Sequence, residues 1–224
     1  MKIIGHRGAR GLAPENTIAS LAKALEHGVD EIEFDVRITK DNVPVLEHDD
    51  IMHAPGGGGL SVSKSTLAEL RKLKPELPTL EEAIRSINRR VPLYIEVKPK
   101  QPTKPVVDCV EQFLKEGWKA SDFYFGSFDS KVLRKLHEAL PEIPLIVIGG
   151  WSGIRTAYRA RKLGATRISM DQRWLWSGYI RAITRRGNYE LYTYTLNDPK
   201  KARRLAKYGL SNIVTDYPDY YKSK

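Results

Sequence analysis

The chain has 224 residues, enough for one large domain or two small ones, and 41% hydrophobic and 29% charged residues fit a soluble globular chain with a sizeable core. No apolar run approaches the roughly 20 residues that span a bilayer, and the single cysteine, Cys109, excludes an intramolecular disulfide. The net charge of +10 is unevenly placed: Arg155 to Lys224 carries 16 basic and 5 acidic residues, whereas Met1 to Ile154 is nearly neutral. Such a surplus suits an anionic substrate, an anionic membrane surface touched through the basic last third, or simply solvated helix faces. Nucleic acid is not expected, because 9% aromatic content shows no interleaving with basic residues. The opening MKIIGHRG turns polar too soon for a signal peptide, and a lone cysteine suits a reducing setting, so the expected location is cytoplasmic.

Lys2 to Gly5 reads as a short strand ending on His6-Arg7-Gly8, and a loop with Gly11 and Pro14 leads to Asn16-Thr17, plausible helix caps. A helix through Ile18, Leu21, Ala22 and Leu25 stops at His27-Gly28, where His27 suits a C-terminal cap. In IEFDVRI, Ile32, Phe34 and Val36 alternate with Glu33 and Asp35, the period of a strand, so two acids share one face. On this stretch alone a solvated edge strand would account for them. A turn at Asp41-Asn42 and a small strand at Pro44 to Glu47 end on His48-Asp49. Ile51 to Pro78 reads as an insertion near the mouth, with four consecutive glycines (Gly56 to Gly59) favouring a mobile lid and a short helix from Ser65 to Leu73.

From Thr79 onward helices and strands alternate, with strands at Leu93–Val97, Phe123–Gly126, Leu145–Ile148, Arg167–Met170, Glu190–Thr195 and Ile213–Thr215. Cys109 reads as a buried helical thiol and His137 as a surface residue in mid-helix. With the strands at Lys2 and Ile32 this makes eight β/α units, which close into an α/β fold of the (β/α)₈ TIM-barrel class. An open doubly wound sheet is the alternative, but no Gly-x-Gly-x-x-Gly follows the first strand. The expectation is a single barrel domain over residues 1–224, with the small insertion following strand two.

Active sites of this fold lie at the C-terminal ends of the strands. His6-Arg7, Glu33 and Asp35, and Glu96 and Lys98 stand at the ends of strands one, two and three, with His48 close behind strand two. Ser127, Asp171, Asn197 and Asp216 end later strands. Three carboxylates, Glu33, Asp35 and Glu96, make an oxygen-only site suited to Mg²⁺ or Ca²⁺ rather than zinc. Arg7 and Lys98 beside them suggest an anionic ligand, and His6 and His48 are the obvious proton carriers. Together these describe phosphodiester chemistry. His53 lies in a loop near the mouth, and Asn16 could combine a capping and a ligand role.

The ordered set Gly5-His6-Arg7-Gly8, Pro14-Glu15-Asn16-Thr17, Glu33-x-Asp35, Asp41-x-x-Pro44-Val45 leading to His48-Asp49, Pro78-Thr79-Leu80-Glu81-Glu82, Glu96-x-Lys98-Pro99, Ser127-Phe128-Asp129, Thr195-Leu196-Asn197 and Thr215-Asp216-x-Pro218 resembles the glycerophosphodiester phosphodiesterase family over nearly the whole chain. The resemblance implies a (β/α)₈ barrel and metal-dependent hydrolysis of small-molecule glycerophosphodiesters to glycerol 3-phosphate and an alcohol. It implies Glu33, Asp35 and Glu96 as metal ligands, His6 and His48 as an acid–base pair, and Arg7 and Lys98 as phosphate contacts. Asn16, Ser127 and Tyr194 are further candidates for substrate contact. Tyr194 stands where the family usually has tryptophan, and Ile51-Met52-His53-Ala54-Pro55 replaces its usual Arg-Thr-type segment, so the substrate-facing wall departs from the family. The alternatives are a lysophospholipase D or phospholipase C-like barrel enzyme and, outside enzymes, a polyanion-binding module.

Overall fold

The computed structural model describes residues 1–53 and 57–221. Its elements run β1 (Lys2–Gly5), α1 (Ile18–Glu26), β2 (Glu31–Ile38), β3 (Pro44–Leu46), β4 (Ile51–His53), β5 (Gly59–Ser61), α2 (Leu67–Leu73), α3 (Leu80–Ile87) and β6 (Leu93–Val97). They continue as α4 (Lys104–Lys115), β7 (Phe123–Ser127), α5 (Ser130–Ala139), β8 (Leu145–Gly149), α6 (Gly153–Lys162), β9 (Arg167–Asp171), α7 (Ser177–Arg181), β10 (Glu190–Tyr194), α8 (Pro199–Ala206) and β11 (Asn212–Thr215). Eight parallel strands, in the order β1-β2-β6-β7-β8-β9-β10-β11, close on themselves because β1 pairs with both β11 and β2. This is the (β/α)₈ barrel that the alternation implies. Strand β3 adds antiparallel to the outer end of β2 with Val36 opposite Leu46.

The period-two pattern of β2 decides what faces where. Ile32, Phe34 and Val36 are fully buried among the apolar faces of the surrounding helices, where they join Leu21, Ala83, Ile84 and Val97 in one large core. The alternate residues point into the barrel. Its interior is filled lower down by Ile4, Tyr94, Ile146, Ile148, Tyr192 and Val214, with Tyr94 and Tyr192 edge to face at 5.9 Å between centroids. Gly126 makes room for this layer, since a Cβ there would sit 2.2 Å from the Tyr94 ring. β2 is therefore no edge strand, and the solvated reading of its acids does not hold.

Helix starts follow ordinary capping chemistry. The Thr17, Thr66 and Thr79 hydroxyls each accept from the backbone N–H three residues on, and each threonine donates its own backbone N–H to that residue's side chain, opening α1, α2 and α3. The expected helix from Ser65 is shorter for that reason: Thr66 is its cap, and a 3₁₀ turn, Val62–Lys64, precedes it. His27 is the C-cap of α1 as expected. The helix expected over Ser177 to Arg186 is α-helical only to Arg181 and widens into a π-turn, Ala182–Arg186, where the Thr184 hydroxyl bonds back to the Ile180 carbonyl at 2.8 Å.

β3 and the stretch after it share a small apolar cluster of their own, Val45, Met52, Val62, Leu70 and Leu77. Gly59 pairs with His53 across the β4–β5 hairpin, and Gly57 and Gly58 take positive φ just before it. Ala54, Pro55 and Gly56, part of the departing segment and of the glycine run, lie outside the described residues. His137 is half-buried rather than at the surface, with its Nδ1 enclosed.

Candidate active site

The site is built from the floor of the mouth upward. After β1 the chain must reverse tightly, and Arg7 (φ 50°) and Gly8 (φ 83°) do so in the left-handed region. Gly8 leaves no choice of residue, since a Cβ there would lie 2.4 Å from the Ser20 hydroxyl. The turn aims the Arg7 backbone N–H at Glu33 Oε2, 2.9 Å away, and holds the guanidinium within 3.1 Å of Asp35 Oδ2. That Nε makes no aligned hydrogen bond and is buried, so the contact with Asp35 is chiefly one of charge, while Arg7 Nη1 donates to Glu15 at 2.6 Å.

Register brings the third acid alongside, because β2 and β6 pair with Asp35 opposite Glu96. Lys98, two residues on and facing the same way, bridges them at 2.5 Å to Asp35 Oδ1 and 2.6 Å to Glu96 Oε1. Glu33, Asp35, Glu96 and Lys98 are all buried. Burial alone would raise the Asp35 carboxyl, but Lys98 and Arg7 hold it well below the usual range. Burial, and then the charges of Asp35 and Glu96, push Glu33 well above its ordinary value. Burial and Asp35 raise Glu96 as well. Three acids thus crowd one point with less positive charge than they need. One oxygen from each lies within 4.8 Å of the others, and such hard donors fit Mg²⁺ or Ca²⁺.

Two imidazoles border the same cavity, of about 370 Å³, which Glu33, Asp35, Glu96, Arg7, Lys98 and Tyr194 also line. His6 Nδ1 is bonded to Asp216 Oδ1 at 2.6 Å. Burial would raise the Asp216 carboxyl, yet its bonds to His6 and Asn197 keep it low. The ionised acid accepts from Nδ1–H, which leaves Nε2 as the free nitrogen. Asn197 fixes Asp216 in turn, donating to Oδ2 and accepting from the Asp216 backbone N–H, both at 2.9 Å. His48 reaches the cavity because antiparallel β3 carries the chain back toward Asp35, and its Nδ1 meets Asp49 Oδ1 at 2.9 Å. Burial lowers the His48 imidazole, with Lys98 and Arg7 reinforcing that shift and Asp35 opposing it.

Eight of the ten expected site residues line this cavity; Asn16 and Ser127 do not. Asn16 is fully buried beneath Asp35, donating Nδ2–H to Asp35 Oδ2 at 2.9 Å and accepting the Asp35 backbone N–H at 3.2 Å. Its positive φ of 55° places it outside the helix that Thr17 caps. Ser127 is buried too, donating to the Val97 carbonyl at 2.7 Å and so tying β7 to the end of β6. Neither lines the cavity; each is bonded instead to the strand end or carboxylate beside it. Tyr194 presents its ring to the cavity, but its hydroxyl is taken by the Gly149 carbonyl at 2.9 Å. His53 is exposed and does not line it. Asp216 and Asn197 have no role legible from the sequence; their Thr-Asp-x-Pro and Thr-Leu-Asn motifs are visible there, whereas the histidine 210 positions from Asp216 is not.

A closed barrel whose mouth collects three acids, two cations and two imidazoles defines an enzyme that handles phosphate esters. The glycerophosphoryl diester phosphodiesterase family model matches residues 6–220. The chain is 33% identical to YhdW of Bacillus subtilis over 98% of its own length and 96% of that protein's. It is 28% identical to a glycerophosphodiester phosphodiesterase of the same organism, covering 97% of this chain and 84% of the other. Among solved structures it resembles an Oleispira antarctica phosphodiesterase, seen in complex with the product sn-glycerol-3-phosphate, with a TM-score of 0.86 and 28% identity over 98% of this chain and 94% of that one. The chain belongs to the glycerophosphoryl diester phosphodiesterase family, a family of hydrolases.

Proposed function

We propose that the protein is a metal-dependent hydrolase that cleaves glycerophosphodiesters to glycerol 3-phosphate and an alcohol. The observation that carries this reading is the acid cluster of Glu33, Asp35 and Glu96 on the wall of a cavity that His6 and His48 also line. In it, Glu33, Asp35 and Glu96 hold Mg²⁺ or Ca²⁺, which supplies Lewis-acid stabilisation of the phosphate oxygens when bound. Arg7 and Lys98 draw the diester phosphate toward that wall and offset the charge that builds up during displacement. His6, its tautomer set by Asp216, and His48 divide the proton transfers: one relieves the nucleophile of its proton and the other protonates the departing alkoxide. Tyr194 forms the apolar side on which the substrate's carbon skeleton rests.

Glycerophosphocholine, glycerophosphoethanolamine and a lysophospholipid, each assayed with and without chelator, test the proposal. Release of glycerol 3-phosphate that stops with chelator and returns with Mg²⁺ or Ca²⁺ is the expected result. Turnover indifferent to chelator would end the metal assignment, and release of a phosphorylated alcohol would end the assignment of the scissile bond. A transient cyclic phosphate in ³¹P spectra marks attack by the glycerol 2-hydroxyl; its absence under single-turnover conditions marks attack by water.

A further inference from the structure

The exposed apolar side chains of this molecule are not spread evenly. Of four tryptophans in the chain, Trp118 is buried while Trp151, Trp174 and Trp176 are 69%, 52% and 65% exposed, and Ile154 is 85% exposed. All four exposed residues sit on the segments that follow β8 and β9, at the mouth end of the barrel. These two segments are neighbours: β8 and β9 are paired, and the Tyr179 hydroxyl reaches the Gly153 carbonyl at 3.4 Å. Among the described residues, no loop that enters a barrel strand from a helix, at the opposite end, carries an exposed large apolar side chain.

Cations accompany them. Lys131, Arg155 and Lys200 stand in the first turns of α5, α6 and α8, all at the mouth end, all exposed, and none makes an ion pair among the described residues. The acids beside Lys131 and Lys200, Asp129 and Asp198, feel those charges but form no ion pair with them. Asp129 and Asp198 cap α5 and α8 through backbone N–H groups, and Asp171 is paired with Arg173 at 2.6 Å. A second cavity, of about 660 Å³, is bordered by Trp151, Arg155 and Lys131 and shares Phe128 with the site cavity, so the patch adjoins the entrance.

We propose that this sector of the mouth docks on an anionic phospholipid bilayer, with Trp151, Ile154 and Trp174 entering the interfacial layer and Lys131, Arg155 and Lys200 meeting lipid phosphates. Tryptophan favours that layer because its ring is apolar and its N–H finds a partner there. Charge complementarity selects the occupant: a second copy, with net charge +10 and the same exposed cations, would be repelled, whereas an anionic surface is attracted. The inference goes beyond the hydrolytic reading, since docking is measured without turnover.

Sedimentation and intrinsic tryptophan fluorescence with vesicles of phosphatidylglycerol and phosphatidylcholine, against vesicles of phosphatidylcholine alone and against dextran sulfate, test it. The full chain is expected to sediment with the anionic vesicles at low salt, to show a blue shift that brominated lipid quenches, and to release as salt rises. Replacing Trp151 and Trp174 by Ser should abolish the shift, and Arg155→Gln should weaken vesicle binding about fivefold. Melting temperatures at the wild-type value confirm that these variants are folded. No sedimentation with anionic vesicles, binding unchanged in the folded double variant, or equal binding to dextran sulfate without a blue shift would each overturn the proposal.

Discussion

The two sides of the barrel mouth are made on different terms. On the side of β1, β2 and β6 nearly every chemical group is buried and paired: Asp35 has Lys98, Arg7 and Asn16, and His6 has Asp216, which has Asn197. On the side of β8 and β9 the exposed groups are mainly apolar or cationic, with Trp151, Ile154, Trp174 and Trp176 open to solvent. A buried charge network tolerates little change, because removing one member strands another away from water. An exposed rim tolerates substitution well, since surface changes usually move stability by no more than about 0.5 kcal/mol. The first side therefore defines the chemistry of the molecule, and the second is free to adapt to what the molecule meets.

The sharpest way to break that contrast is to remove one of the two imidazoles proposed to carry protons. His6→Ala and His48→Ala should each lower kcat by about 10²–10⁴-fold, with the melting temperature close to the parent for His48→Ala and lower for His6→Ala, which leaves Asp216 without one of its partners. Near-normal turnover in either would remove that imidazole from the reaction. Next in size is Lys98→Met, which leaves Asp35 and Glu96 facing each other in a buried site; a loss of about 3–5 kcal/mol in denaturant midpoint analysis is expected in chelator. Divalent cation should restore part of it, as ligands that bind only the native state do. A variant as stable as the parent without metal would show that Lys98 does not balance these acids.

Asn16→Ala should cost about 1–3 kcal/mol, because it leaves the Asp35 backbone N–H and one Asp35 oxygen short of a partner. Its kinetic signature separates positioning from ligand contact: kcat should fall with the metal requirement rising, while KM for the diester stays near the parent value. A rise in KM alone would return Asn16 to the substrate. That residue also shows how far sequence could reach. The alternation in β2 made Glu33 and Asp35 legible as neighbours, since a period of two fixes the face, and the β/α rhythm then placed Glu96 and Lys98 beside them. Asn16 and Ser127 carry no such period. A polar side chain at a loop or strand end looks the same in sequence whether it points at the cavity or beneath it, and the hydrogen bonds of Asn16 to Asp35 and of Ser127 to Val97 become visible only in the fold. The pairing of His6 with Asp216 depends on barrel closure between β1 and β11, a contact that no local pattern encodes.

The smallest effect belongs to Cys109, half-buried on α4 rather than fully buried and outside both sides of the mouth. Burial pushes its thiol up to about 12, with Glu81 adding to the shift, so at pH 8 it should react with iodoacetamide about a thousandfold more slowly than a free thiol of ordinary pKa near 8.5. The same shift has a consequence for stability. Above about pH 8.5 the unfolded chain loses the thiol proton and the native chain keeps it, so unfolding becomes easier as pH rises toward the folded value. Between about pH 8.5 and 10 this amounts to about 2 kcal/mol at most. In Cys109→Val that component of the alkaline slope should disappear, while at neutral pH the two chains differ only by packing. Identical slopes for parent and variant would mean that α4 opens enough to hydrate the thiol, and that the rigidity assigned to the barrel's catalytic side does not extend to the helices behind it.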